Sequence, residues 1–172
     1  MKEKVLKKAA LVFLVAKGKV CLPIKKWKIG AGFRNGYGGG IKSDETADDC
    51  AIRELLEEAG VKTWVVNLKP IALLLCHNCT EKGVEFTCVV GVFTTNFWLG
   101  KPKETKEMGP PIWYPVKNLA RIKNQFMLGD REWLPRLFQD GKPLVVEMWY
   151  GPRQASLERP TVIKEVEILP EE

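Results

Sequence analysis

The chain has 172 residues, 45% hydrophobic and 28% charged, with sixteen aromatics (6 Trp, 7 Phe, 3 Tyr). That length can bury a core without disulfide or metal staples, and the composition excludes a disordered chain. The net charge of +6 is unevenly placed: up to Lys42 there are eleven Lys/Arg and one acid, Glu3, whereas Asp44 to Glu58 holds seven acids and one base, Arg53. A basic lobe beside an acidic cluster suits a polyphosphate with its metal, and equally suits two solvated faces of opposite sign.

Residues 9–16 and 20–24, rich in Val, Leu and Ile, are predicted strands joined by a tight turn at Lys17-Gly18. Six glycines follow between Gly30 and Gly40, where the backbone must bend and approach something closely. Residues 47–59 are the clearest predicted helix. Thr46 and Asp49 form a capping box, and Gly60 stands at the C′ position. Residues 64–75 and 85–97 are predicted strands around a polar turn at Glu81-Lys82-Gly83, and a loop at 101–111 leads to a short strand at 112–116. A second amphipathic helix is expected at 131–139, with Pro135 close to its start because first-turn N–H groups need no partner. Strands at 144–150 and 161–169 close the chain. Strands interrupted by two helices, with no repeat or long linker, give one α+β domain over 1–172 with a mixed sheet.

Five scattered cysteines suit reduced thiols and a cytoplasmic protein. Lys-rich residues 2–8 before an apolar run resemble a secretory signal, but the run is short and Lys17-Gly18-Lys19 stands where a cleavage site would be. No apolar run reaches the roughly eighteen residues of a transmembrane helix, so no membrane role is expected.

On the predicted first helix, Glu54, Glu57 and Glu58 fall within an arc of about 100°. Ala51, Ile52, Leu55, Leu56 and Ala59 are left to pack on a sheet. Like charges at this spacing repel, and a hard divalent cation bound through oxygen neutralises them; a plain solvated face is the alternative. Arg53, four residues before Glu57, can pair with it. Glu57→Gln is expected to relieve repulsion and leave the fold intact.

Gly39, Glu45 and the run from Arg53 to Val61 read G-x5-E-x7-R-E-U-x-E-E-x-G-U, with U a bulky aliphatic, over 23 residues without departure. This resembles the Nudix box of hydrolases acting on nucleoside diphosphates linked to another group. The resemblance implies an α/β/α sandwich. It also implies that Glu54, Glu57, Glu58 and the Gly39 carbonyl ligate Mg²⁺, with Mn²⁺ as the alternative. Glu45 and Arg53 would hold the loop–helix geometry. Glu107, in Lys106-Glu107-Met108, is the candidate for a further catalytic and metal-binding carboxylate; the other reading is an exposed loop acid.

The wider stretch, including Lys25-Lys26, Gly30-Ala31-Gly32 and Asn35-Gly36-Tyr37-Gly38-Gly39, with later Trp133-Leu134-Pro135, is similar to the MutT-type oxidised-purine nucleoside triphosphatases. That branch implies hydrolysis of oxidised purine triphosphates to monophosphate and pyrophosphate. Asn35 would read the purine, being both donor and acceptor, or serve only as a turn residue. Met127 stands where the branch has a stacking aromatic, Gly129 replaces the first of two Asp residues, and Asp130 remains as base reader or helix N-cap. Lys25, Ile29, Phe33 and Met108 complete the candidate substrate contacts, the last three of which could also be core. The implied partner is a free nucleotide, without DNA or membrane; the chain is expected to be a monomer, with a dimer left open. The alternatives are a Nudix pyrophosphatase for a dinucleotide, nucleotide sugar or RNA cap, and a silent nucleotide- or RNA-binding module. Cys76-His77-Asn78-Cys79 resembles a zinc motif but lacks a second cysteine pair, and on a strand its two thiols would face opposite sides.

Overall fold

A computed structural model describes residues 7–171, with Asp140 described by its backbone alone; residues 2–6 of the Lys-rich segment lie outside the described residues. The first strand, β1 (Lys8–Ala16), serves two cores at once because successive side chains of a strand point to opposite faces. Val12 and Leu14 join one buried cluster and Phe13 the other. One edge of β1 pairs antiparallel with β2 (Lys19–Cys21) and β3 (Tyr37–Gly40). Helix α1 (Ala47–Ala59) covers this half of the sheet.

The other edge of β1 runs parallel to β5 (Gly83–Thr95), which pairs antiparallel with β4 (Lys69–Thr80). Beyond these come β6 (Trp113–Pro115), which pairs with β2, then helix α2 (Asp130–Asp140), β7 (Leu144–Tyr150) parallel to β4, and β8 (Val162–Glu165) antiparallel to β7. The strand order is β6-β2-β1-β5-β4-β7-β8, with β3 on β1. This is a mixed sheet between two helical layers. On the α2 side, Phe13, Leu74, Val92, Phe126, Trp133 and Leu134 fill the core.

Several expectations need correction. Residues 65–67 form a 3-10 turn closed by Asn67 N–H to the Trp64 carbonyl, so the strand predicted from 64 begins at Lys69. A 3-10 segment, Val116–Gln125, precedes α2 and was not predicted. Pro135 sits inside α2, beyond its first turn. The strands expected at 20–24 and 161–169 are shorter, at Lys19–Cys21 and Val162–Glu165. Among the described residues no helix is long and apolar enough to cross a membrane.

Candidate active site

Helix α1 starts where local chemistry dictates. Thr46 Oγ1 accepts from the Asp49 N–H and Asp49 Oδ2 accepts from the Thr46 N–H, both at 3.2 Å, and Gly60 ends the helix at φ 71°. The face it buries is not the expected one. Leu56 is 54% exposed, while Glu54 and Glu58 are 8% and 3% exposed, beside Ala51 and Leu55. Two carboxylates are thus wedged between α1 and the glycine strand β3.

Glycine is what allows this approach: a Cβ at Gly39 would collide with the Glu54 carboxylate, and one at Gly38 with the Ala10 carbonyl. Glu58 Oε2 accepts from the Gly38 N–H at 2.9 Å. Burial, followed by repulsion from Glu54, pushes the Glu58 carboxyl up to about 8 against the pull of that N–H. Burial also raises Glu54, with Arg53 opposing, and burial lowers Lys25, with Glu58 opposing most strongly.

Arg53 is the hub. It forms a two-pronged pair with Glu45, one prong at 3.0 Å, and donates to Glu54 at 2.6 Å, to Glu57 at 3.3 Å and to the Gly40 carbonyl at 3.1 Å. The guanidinium holds Glu45 down to about 2, helped by the Lys42 N–H. Glu57 keeps 56% of its side chain in solvent. Glu107 is half-buried and acts electrostatically on Lys25, Glu54 and Glu58; its loop is fastened to α1 by Thr105 Oγ1 donating to the Glu58 carbonyl at 3.0 Å.

Among the described residues, no three His, Cys, Asp or Glu side chains are gathered closely enough to hold an ion as they stand. Glu54 and Glu57 reach for Arg53, and Glu58 for Gly38. The donor chemistry nevertheless fits a hard cation. Among the described residues, Glu45, Glu54, Glu57, Glu58 and Glu107 feel the bases Arg53, Lys25 and Lys42, so acids outnumber bases, and every donor is oxygen.

A cleft of about 240 Å³ opens beside Gly38 and Gly39, and Lys25, Ile29, Asn35, Met127 and Asp130 all line it. A hollow of about 520 Å³ lies elsewhere, at the C-terminal end of α2, and no acid lines it among the described residues; the smaller cleft is the candidate site. Phe33 and Met108 are not among its lining. Met108 is 1% exposed in the core beneath α1, held there by its strand bridge to Lys25, and the Phe33 carbonyl accepts from the Lys25 N–H at 2.9 Å.

Asn35 both lines the cleft and accepts from the Gly36 N–H at 2.8 Å. Asp130 is the first residue of α2, with Gly129 as its N-cap. Its Oδ1 accepts from Trp133 Nε1 at 3.0 Å, and burial pushes it up to about 6. Gly129 packs against the Tyr150 hydroxyl and the Met148 sulfur, which would have to move aside for a side chain at that position.

Other lining residues escaped the sequence reading, among them Asn78, Phe86 and Gln154. The register Cys76↔Cys88 and Asn78↔Phe86 brings strands β4 and β5 to the cleft, and only the period-two spacing of Cys76 and Asn78 hinted at it. His77 bonds Thr87 at 2.8 Å and Glu147 at 3.3 Å and lies against Trp149, so the Cys-His-Asn-Cys stretch makes no zinc site.

A model of the NUDIX domain matches residues 5–137. The chain is 33% identical over 129 residues to the oxidized purine nucleoside triphosphate hydrolase of Danio rerio, covering 75% of this chain and 78% of that protein. It is 31% identical over 137 residues to the protein of the same name from Mus musculus, covering 77% and 80%. Among solved structures, the mutator MutT protein of Bacillus halodurans superposes with a TM-score of 0.76 at 18% identity, covering 92% and 97% of the two chains. A NUDIX hydrolase from Nitrosomonas europaea gives 0.63 at 16% identity, covering 87% and 81%. At these identities the two structures speak to the fold.

Proposed function

This chain belongs to the NUDIX family, and from that premise we propose that it hydrolyses oxidised purine nucleoside triphosphates to monophosphate and pyrophosphate, using Mg²⁺. The observation that carries the reading is the Arg53 hub, which holds Glu54 and Glu57 on the helix whose Glu54 and Glu58 pack against Gly38–Gly39, at the edge of the cleft of about 240 Å³. Nudix hydrolases act on small-molecule nucleotides with divalent metal ions. Here Glu54, Glu57, Glu58 and the Gly39 carbonyl would hold the ion, with Glu107 completing the acidic set. When bound, such an ion neutralises phosphate charge and makes a water more acidic.

The chain's own groups do the rest. Arg53 fixes the rotamers of two acids, while Lys25, close to Glu58 and lining the cleft, meets the phosphates. Asn35 offers its amide to the base, and Met127 and Ile29 cover its ring face. The mostly apolar cleft walls suit a base, and all five thiols are free, consistent with a reducing cytoplasm. The substrate is a free nucleotide, and no DNA takes part. Pyrophosphate release from a panel of oxidised and ordinary nucleoside triphosphates, dinucleotides and nucleotide sugars with Mg²⁺ tests this. Preferred turnover of oxidised purines is expected; preferred turnover of dinucleotides, or binding without turnover, would overturn it.

A further inference from the structure

The far wall of the cleft carries a pair of amides. Gln154 Nε2 donates to Asn78 Oδ1 at 3.3 Å, and Asn78 Nδ2 donates to the Cys76 carbonyl at 3.0 Å. Both residues line the cleft, and so does Phe86, the cross-strand partner of Asn78. Gln154 reaches this place through an unusual backbone: it and Arg153 both have φ of 57° in the one-turn 3-10 segment Pro152–Gln154. Two consecutive non-glycine residues in the left-handed region persist only where their surroundings insist on it. Three bonds do so: Gln154 N–H to the Gly151 carbonyl at 3.0 Å, Gly151 N–H to the Ser156 carbonyl at 3.0 Å, and Glu158 N–H to the Trp149 carbonyl at 2.8 Å. Asp130, the acid that lines the cleft, is meanwhile engaged by Trp133.

We propose that Asn78 and Gln154 are specificity-determining residues that read the edge of the base, with Phe86 against the ring. This rests on the reading that the cleft takes a purine nucleotide. Two amides carry two acceptors and four N–H donors; the two bonds above use one acceptor and two donors, which leaves both kinds available. That is the complement of an edge presenting an N–H beside a carbonyl. Oxidation creates such an edge on the five-membered ring of a purine, where the unmodified base shows only an acceptor nitrogen.

The test compares kcat/KM of the full-length wild type, Gln154→Gly and Asn78→Ala on three compounds: 8-oxo-dGTP, dGTP and 2-deoxyribose 5-triphosphate, which has no base. Gly adopts a φ of 57° without strain, so Gln154→Gly removes the amide and keeps the loop. Each variant should lose about tenfold or more on 8-oxo-dGTP, chiefly through KM, with a smaller loss on dGTP and about twofold or less on the abasic compound. Equal losses on all three compounds would make the pair merely structural and overturn the proposal, as would no loss on 8-oxo-dGTP. A wild type that turns over none of the nucleoside triphosphates overturns the parent reading, and this one with it.

Discussion

The two ends of the cleft are built by different means. At the end proposed for the phosphates, Glu45, Arg53, Glu54, Glu57 and Glu58 come from one stretch, joined by Lys25 and Glu107 from elsewhere, and a single guanidinium ties three of the carboxylates to a backbone carbonyl. At the end proposed for the base, Asn78, Phe86, Asp130 and Gln154 come from four separate segments and meet only because the fold brings them together. One end is organised by helical period, the other by strand register and loop path.

The largest effect should come from the phosphate end. Glu57→Gln is expected to lower pyrophosphate release by about a thousandfold or more, with an unchanged thermal melt because this side chain is mostly in solvent. A large fall in melting temperature would make Glu57 a structural residue instead. Chelation by EDTA should abolish turnover of the wild type and added Mg²⁺ restore it; activity that survives chelation would break the metal reading.

Next come two neighbours on α1. Leu55 is fully buried and Leu56 is not, so Leu55→Ala should destabilise by about 2–5 kcal/mol and Leu56→Ala by about 0.5 kcal/mol or less, as denaturant unfolding would show. Similar losses would mean that α1 sits rotated on the sheet.

The subtlest contrast is in pH. Glu45 is held down to about 2, below its ordinary 4.5, so its contribution to stability is present above that ordinary value and disappears as pH falls toward 2. Glu45→Gln should therefore lower the melting temperature at pH 7, and the deficit should close in acid. Asp130 is pushed the other way, from 3.8 to about 6, so its ionisation opposes folding as pH rises through that window. Asp130→Asn keeps an acceptor for Trp133 and should raise the melting temperature at pH 7, with the gain gone below about pH 4. Parallel rather than opposed pH profiles would erase the distinction between the two ends.

The same division governs what could be read from the chain beforehand. The bounds of α1 and its capping box were legible because they depend on neighbours three or four residues apart. The carboxylate motif was legible for the same reason. The side of α1 that is buried was not, since it depends on the sheet: the apolar pattern placed Leu56 inside, while the absence of side chains at Gly38 and Gly39 let Glu54 and Glu58 take that space. Met108 read equally as pocket or core, and it is core, bridged to Lys25, 83 positions away in sequence. Gln154 carried no local signal at all, because its place depends on a left-handed turn fixed by bonds that only the folded loop can make.

The parallel pairing of β1 with β5 sets a timetable for synthesis. One edge of β1 is taken by β2 and β3 soon after it emerges, but the other must wait for a strand that begins only at Gly83. At a translation rate of about 5–20 residues per second that interval lasts roughly three to thirteen seconds. For that time the nascent chain exposes an open strand edge between two unfinished apolar layers, and chains arrested before Gly83 should remain open to protease along β1.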